Sequence, residues 1–100
     1  MAVSDTFKAK VKTALRVSFT LTGIDTQITD LVEAAILDLT ETADIKPFTS
    51  ADADALQTDA IIAYVQYRWY DDEKYLTIYN DMKAKMATSG KYRSVMPNEE

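Results

Sequence analysis

A chain of 100 residues that is 47% hydrophobic with a net charge of −5 fits one globular domain, able to bury roughly 65% of its unfolded surface. It has no cysteine and no histidine, which excludes a disulfide framework, a thiolate nucleophile and a cysteine-based metal site, and it suits a reducing cytosol. No window approaches the ~18 apolar residues of a membrane span and the N-terminus lacks a signal-peptide core, so a soluble intracellular protein is expected.

The charge is unevenly spread. Residues 1–24 carry +3, residues 25–73 carry −10 and residues 74–100 carry +2. The acidic middle repels phosphate, which argues against a nucleic-acid groove on the main body. Charge runs of this kind also mark solvated helix faces.

Apolar periodicity is helical nearly throughout, with breaks near 17–24, 44–50, 71–73 and from 89 onward. The expected fold is all-α, a small bundle of about four helices with short loops, in one domain over 1–93 followed by a polar tail over 94–100. The first helix starts after Ser4 as N-cap, with Phe7, Val11, Ala14 and Leu15 on one face and Lys8, Lys12 and Arg16 on another. A β-branched connector through Gly23 leads to Asp25, the expected N-cap of a second helix reaching Ala43. Its core stripe is Ile28, Leu31, Val32, Ala35, Ile36 and Leu39, with Asp30, Glu33, Asp38 and Glu41 opposite. Leu37 falls half a turn from the stripe, either a subunit contact or one of the single exposed leucines that surfaces tolerate.

Past Pro47, Thr49 or Ser50 is the expected cap of a third helix running to Tyr70, with Asp52 and Asp54 in its first turn. Asp52-Ala-Asp54 does not open a calcium loop, because Gln57 stands where the sharp-turn glycine belongs and Ala63 where the bidentate acid belongs. The helix is apolar on nearly every side. Leu56, Ala60, Ala63, Tyr64 and Tyr67 make one face; Ile61, Ile62, Val65 and Trp69 make much of the other. It is either a central core helix or one partly covered by another copy. Asp71-Asp72-Glu73 then turns the chain into a fourth helix, Lys74 to about Ser89, with the stripe Tyr75, Ile78, Tyr79, Met82 and Met86 and Gly90 as its stop. The tail from Lys91 is expected to be mobile unless docked.

All six tyrosines and the one tryptophan fall between Tyr64 and Tyr92, and such rings serve a core and an interface equally well. Catalysis has little to stand on. The carboxylate pairs Asp52/Asp54 and Asp71/Asp72 sit where helix capping explains them, and there is no phosphate loop, serine elbow or metal-ligand cluster. No catalytic, cofactor-binding or metal-binding residue is assigned, and a protein that is not an enzyme is expected. The residues offered for contact are Leu37, Ile62, Val65 and Trp69, together with the basic trio Lys8, Lys12 and Arg16.

Several blocks taken together, Val11-Lys-Thr-Ala-Leu-Arg-Val17, Asp25 with Ile28-Thr-Asp-Leu-Val-Glu-Ala-Ala35, Ala60-Ile-Ile-Ala-Tyr-Val-Gln-Tyr67, Tyr79-Asn-Asp-Met-Lys83 and Ser89-Gly-Lys-Tyr-Arg93, resemble the head-tail connector proteins of tailed bacteriophages, often labelled DNA-packaging proteins. The likeness covers roughly residues 7–93 and lies in the order and spacing of degenerate blocks. Asp44 to Asp59 departs from it, being longer and more acidic than the compact turn of such proteins. The resemblance implies a helical adaptor in the virion neck, made in the host cytoplasm, whose copies form a dodecamer-like ring under the portal protein. That ring extends the DNA channel, lets DNA pass without specific binding and docks the stopper or tail-completion protein. It also implies that the C-terminal segment, here Lys91, Tyr92, Arg93 and onward, reaches the portal. Other classes stay open: a small helical DNA-binding regulator, for which the first helix is the nearest to a basic recognition helix, or a stand-alone interaction module.

The −10 over residues 25–73 generates one test of the channel reading. Purified protein should bind duplex DNA weakly or not at all at physiological salt; tight binding that falls steeply with log salt would contradict it.

Overall fold

Each helix begins where the chain places a polar residue ahead of an apolar stripe. The structure is a computed structural model that describes residues 5–17, 23–43 and 45–92. Within them lie four helices, α1 (Asp5–Ala14), α2 (Asp25–Thr42), α3 (Ala55–Tyr70) and α4 (Glu73–Ala87), and no strand. The protein is an all-α small bundle. Ser4, the connector 18–22, Asp44, Arg93 and the tail 94–100 lie outside the described residues.

α1 buries Phe7, Val11 and Leu15, spaced four apart, against α2 and α3. Its end is a Schellman motif: Arg16 takes a left-handed φ of 60°, Arg16 N–H donates to Thr13 C=O at 3.1 Å and Val17 N–H to Lys12 C=O at 3.0 Å. Two last carbonyls of α1 are then met by α3. Gln66 Nε2 donates to Ala14 C=O at 3.2 Å, and Tyr70 OH to Leu15 C=O at 2.7 Å. These groups would otherwise be orphans of the helix end.

α2 buries Ile28, Val32, Ala35 and Leu39, with Leu31 and Ile36 half-buried beside them. Asp25 is not its N-cap. Ile24 occupies that position without a side-chain cap, and Asp25 is the first helical residue, where its charge suits the dipole.

The expected start of α3 at Thr49 or Ser50 is also revised. Thr49 and Asp52 close a separate turn, with Asp52 N–H donating to Thr49 C=O at 3.0 Å and Thr49 Oγ1 to the Asp52 carboxylate at 3.1 Å. The cap is Asp54, in a capping box with Gln57: Gln57 N–H donates to Asp54 Oδ1 at 3.0 Å, and Asp54 N–H to Gln57 Oε1 at 3.1 Å. α3 is the central helix. It packs against α1, α2 and α4, burying Ala60, Ile61, Ala63 and Val65 fully and Leu56, Ile62, Tyr64 and Trp69 in part. Cover within the chain therefore accounts for most of its apolar circumference.

Two residues join α3 to α4. Asp71 adopts the left-handed φ of 55° with its N–H on Tyr67 C=O at 2.8 Å, and Asp72 is extended, its carboxylate accepting from Lys74 N–H at 3.0 Å. A tight antiparallel hairpin results, the most extensive helix pair of the fold. α4 buries Tyr79 and Met86, while Tyr75, Leu76 and Met82 are half-buried. Ile78, expected in the core stripe, is 43% exposed instead, because it lies about 100° around the helix from Tyr79. Thr88 closes α4, its N–H and Oγ1 both donating to Ala84 C=O at 3.1 Å, and Gly90 takes no left-handed φ.

Arginine in the left-handed region is strained where glycine is not, so Arg16→Gly should raise the unfolding free energy by about 1 kcal/mol. Asp71→Val, a β-branched residue at φ 55°, should lower it by about 1–3 kcal/mol. Denaturant unfolding of both variants checks the pair.

Candidate interaction surfaces

The residues singled out for contact are spread over the fold. Leu37 is 56% exposed on the outer side of α2. Val65 is fully buried in the core and presents nothing to a partner. Ile62 and Trp69, two turns apart on α3, are half-buried and each edges a shallow cleft. One cleft, of about 560 Å³, lies between α1 and the start of α3, with Lys10, Thr13, Asp59 and Ile62 in its walls. The other, of about 540 Å³, lies between the start of α2 and the end of α3, where Asp30, Leu31, Arg68 and Trp69 meet.

The basic face expected of α1 is largely consumed inside the molecule. Lys12 is only 4% exposed, and its Nζ lies 2.6 Å from Asp25 Oδ1, with Lys8 Nζ 3.8 Å from Oδ2 of the same carboxylate. The Lys12 ammonium, helped by Lys8, holds the Asp25 carboxyl below the usual carboxylate range. Of the trio, Arg16 is the exposed member. Reversing the charge of Lys12 would therefore break a buried contact, contrary to the surface reading. A DNA-recognition helix built on α1 loses a central cation for the same reason.

Lys91 and Tyr92 are docked. Tyr92 OH donates to Asp54 Oδ2 at 2.6 Å, Lys91 Nζ pairs with the same oxygen at 3.2 Å, and Lys46 N–H donates to Tyr92 C=O at 2.7 Å. One carboxylate thus caps α3 through Oδ1 and holds the C-terminal segment through Oδ2. A cleft of about 340 Å³ remains beneath, between Phe48, Gln57 and Tyr92. Burial would raise the Asp54 pKa, but the hydrogen bonds from Gln57, Tyr92 and Lys91 outweigh it and hold it low; Asp54 in turn raises Tyr92 and Lys91. Arg93 lies outside the described residues.

A second carboxylate hub was not expected. Asp38, assigned to the solvent side of α2, accepts a short hydrogen bond from Tyr79 OH of α4 and is paired with Lys83 Nζ at 3.1 Å, which also donates to Thr42 Oγ1 at 2.8 Å. The Tyr79 ring stands edge-on to Tyr64 at 5.2 Å, and Arg68 lies over Tyr64 at 5.8 Å. Burial pushes the Tyr79 hydroxyl well above its ordinary value and Asp38 adds to this; for Asp38, the bonds from Tyr79 and Lys83 overcome burial and lower its pKa. Among the described residues no three carboxylates converge to hold a metal ion, and no helix is long and apolar enough to cross a membrane.

These shifts set a two-sided pH dependence. Asp38, Asp54 and Asp25, lowered in the folded state, contribute stability above the ordinary carboxylate pKa of about 4 and lose it below. Tyr79 and Tyr92, raised, keep their protons when unfolded tyrosine gives them up, so their contribution falls as pH rises past about 10. Tyr79→Phe should cost about 2 kcal/mol at neutral pH by stripping one bond from a carboxylate, and should flatten the alkaline fall. Thermal midpoints across pH for both proteins check this.

No protein-family model, curated protein or solved structure matches this chain, so its functional reading rests on its residues, their placement and the resemblance of its sequence blocks.

Proposed function

We propose that this chain is a structural head-tail connector of a tailed phage or prophage, a ring-forming adaptor under the portal that extends the DNA channel and docks the stopper or tail. The observation that carries the reading is the order and spacing of the five sequence blocks, four of which fall one to each helix. The block 11–17 spans the end of α1 and its Schellman turn, 28–35 lies in α2, 60–67 in α3 and 79–83 in α4. The long acidic stretch where the resemblance departs, Asp44 to Asp59, is the segment that holds the 49–52 turn and the Asp54 cap ahead of α3.

Chemistry supports the same reading. The acidic middle keeps phosphate from adhering, which a conduit for DNA requires. Leu37, Tyr70 and Ile78 remain exposed, leaving apolar area for neighbours. No reactive side-chain set is needed for such a role.

The experiment is genetic. In a tailed phage that encodes this chain, deleting the gene should give particles that package DNA and then fail to retain it or to attach tails. Normal infectious particles without the protein would refute the reading.

A further inference from the structure

The outer faces of α2 and α4 carry opposite charge around one exposed apolar side chain each, and we infer that they are the two halves of a contact between copies of this chain. The inference rests on the ring reading above and names the surfaces that would build the ring. On α2, Asp30, Glu33, Leu37 and Glu41 recur at spacings of three and four, all exposed, about 180° around the helix from the Ile28, Val32, Ala35, Leu39 stripe. On α4, Lys74, Ile78 and Lys85 share one exposed flank, beside the half-buried Tyr75 and Met82. Asp81 is the acid on that flank. Lys83 and Tyr79, which reach toward Asp38, point to the other side of α4, so the Ile78 flank faces away from α2 of its own chain.

Each stripe suits the other better than its own copy. Three acids around Leu37 repel three acids, and the α4 flank, with Lys74 and Lys85 against Asp81 alone, is net basic. The contact that matches charge best is therefore α2 of one copy against α4 of the next, which brings acids to lysines and Leu37 to Ile78. Among the described residues, Lys74, Lys85, Glu33 and Glu41 form no ion pair within the chain, so the match costs no existing bridge. A contact between two different patches is head-to-tail, and repeated it closes into a ring or runs on as a filament. It leaves the Ile62 cleft free for other neighbours and borders the Trp69 cleft at Asp30.

The chain's lack of cysteine makes the test direct. Under oxidation the full-length double variant Leu37→Cys/Ile78→Cys should yield a ladder of linked chains. Leu37→Cys alone and Ile78→Cys alone should give no ladder, while their mixture should give linked pairs. Both positions are exposed, and circular dichroism confirms that each variant folds. In sedimentation, Glu33→Lys/Glu41→Lys should weaken association by about tenfold or more, and adding Lys74→Glu/Lys85→Glu to the same chain should restore it. Absence of the ladder overturns the interface. If the wild-type chain still sediments as an oligomer, the ring reading survives on another surface; if it stays a monomer, the ring reading loses its support as well. Dimers from a single-cysteine variant would replace the head-to-tail contact with a symmetric one and overturn the inference too.

Discussion

α3 meets α1, α2 and α4 at once, and its apolar residues run round most of its circumference, so none of the other helices can leave without wetting part of it. That single demand organises the bundle. α2 covers one side with Ile28, Val32, Ala35 and Leu39, and α4 covers another with Tyr79 and Met86. α1, the shortest helix, adds Phe7, Val11 and Leu15 and is tied to α3 by the Gln66 and Tyr70 bonds to its final carbonyls. In a chain of this size one helix screened by three is an economical core, because it needs no second apolar layer.

Three carboxylates then join segments that hydrophobic burial alone would leave loosely registered. Asp25 links α2 to α1 through Lys12, Asp38 links α2 to α4 through Tyr79 and Lys83, and Asp54 links α3 to the residues after α4. Each sits at or beside a helix edge, partly wet, where a carboxylate can stay ionised without the full cost of a buried charge. Part of the acidity of residues 25–73 is thus spent on internal ties, and the rest, including Asp30, Glu33 and Glu41, faces outward.

How much of this was legible in the sequence follows from which forces act locally. The four helices, their breaks and the α2 stripe follow from 3.6-residue periodicity, which is a property of one segment at a time. Partners across segments do not. Nothing in the spacing of Lys8, Lys12 and Arg16 reveals that Asp25, beyond a connector, draws Lys12 under cover, nor that Tyr79 is long enough to reach Asp38 on the flank of α2. Val65 looked as available as Trp69 because both lie on an all-apolar helix; only the placement of α2 and α4 separates them. The α3 start is different, since Asp54 followed by Gln57 at the third helical position is a readable capping box, and it outcompetes Thr49 and Ser50, which lack a glutamate or glutamine at that spacing. Ile78 was misplaced because the apolar positions of α4 are too many for one face, and the wheel alone does not say which flank α3 leaves bare.

The attachment of Tyr92 has a mechanical side. Its hydroxyl and Lys91 hold Asp54, and its carbonyl holds Lys46, so a pull on residue 92 is shared between the peptide chain leading back to α4 and the start of α3 with the 45–54 segment. The central helix would feel part of that tension at its own N-cap, where it is already fixed by Gln57. A load at residue 92 is thus spread to the middle of the bundle as well as to its last helix.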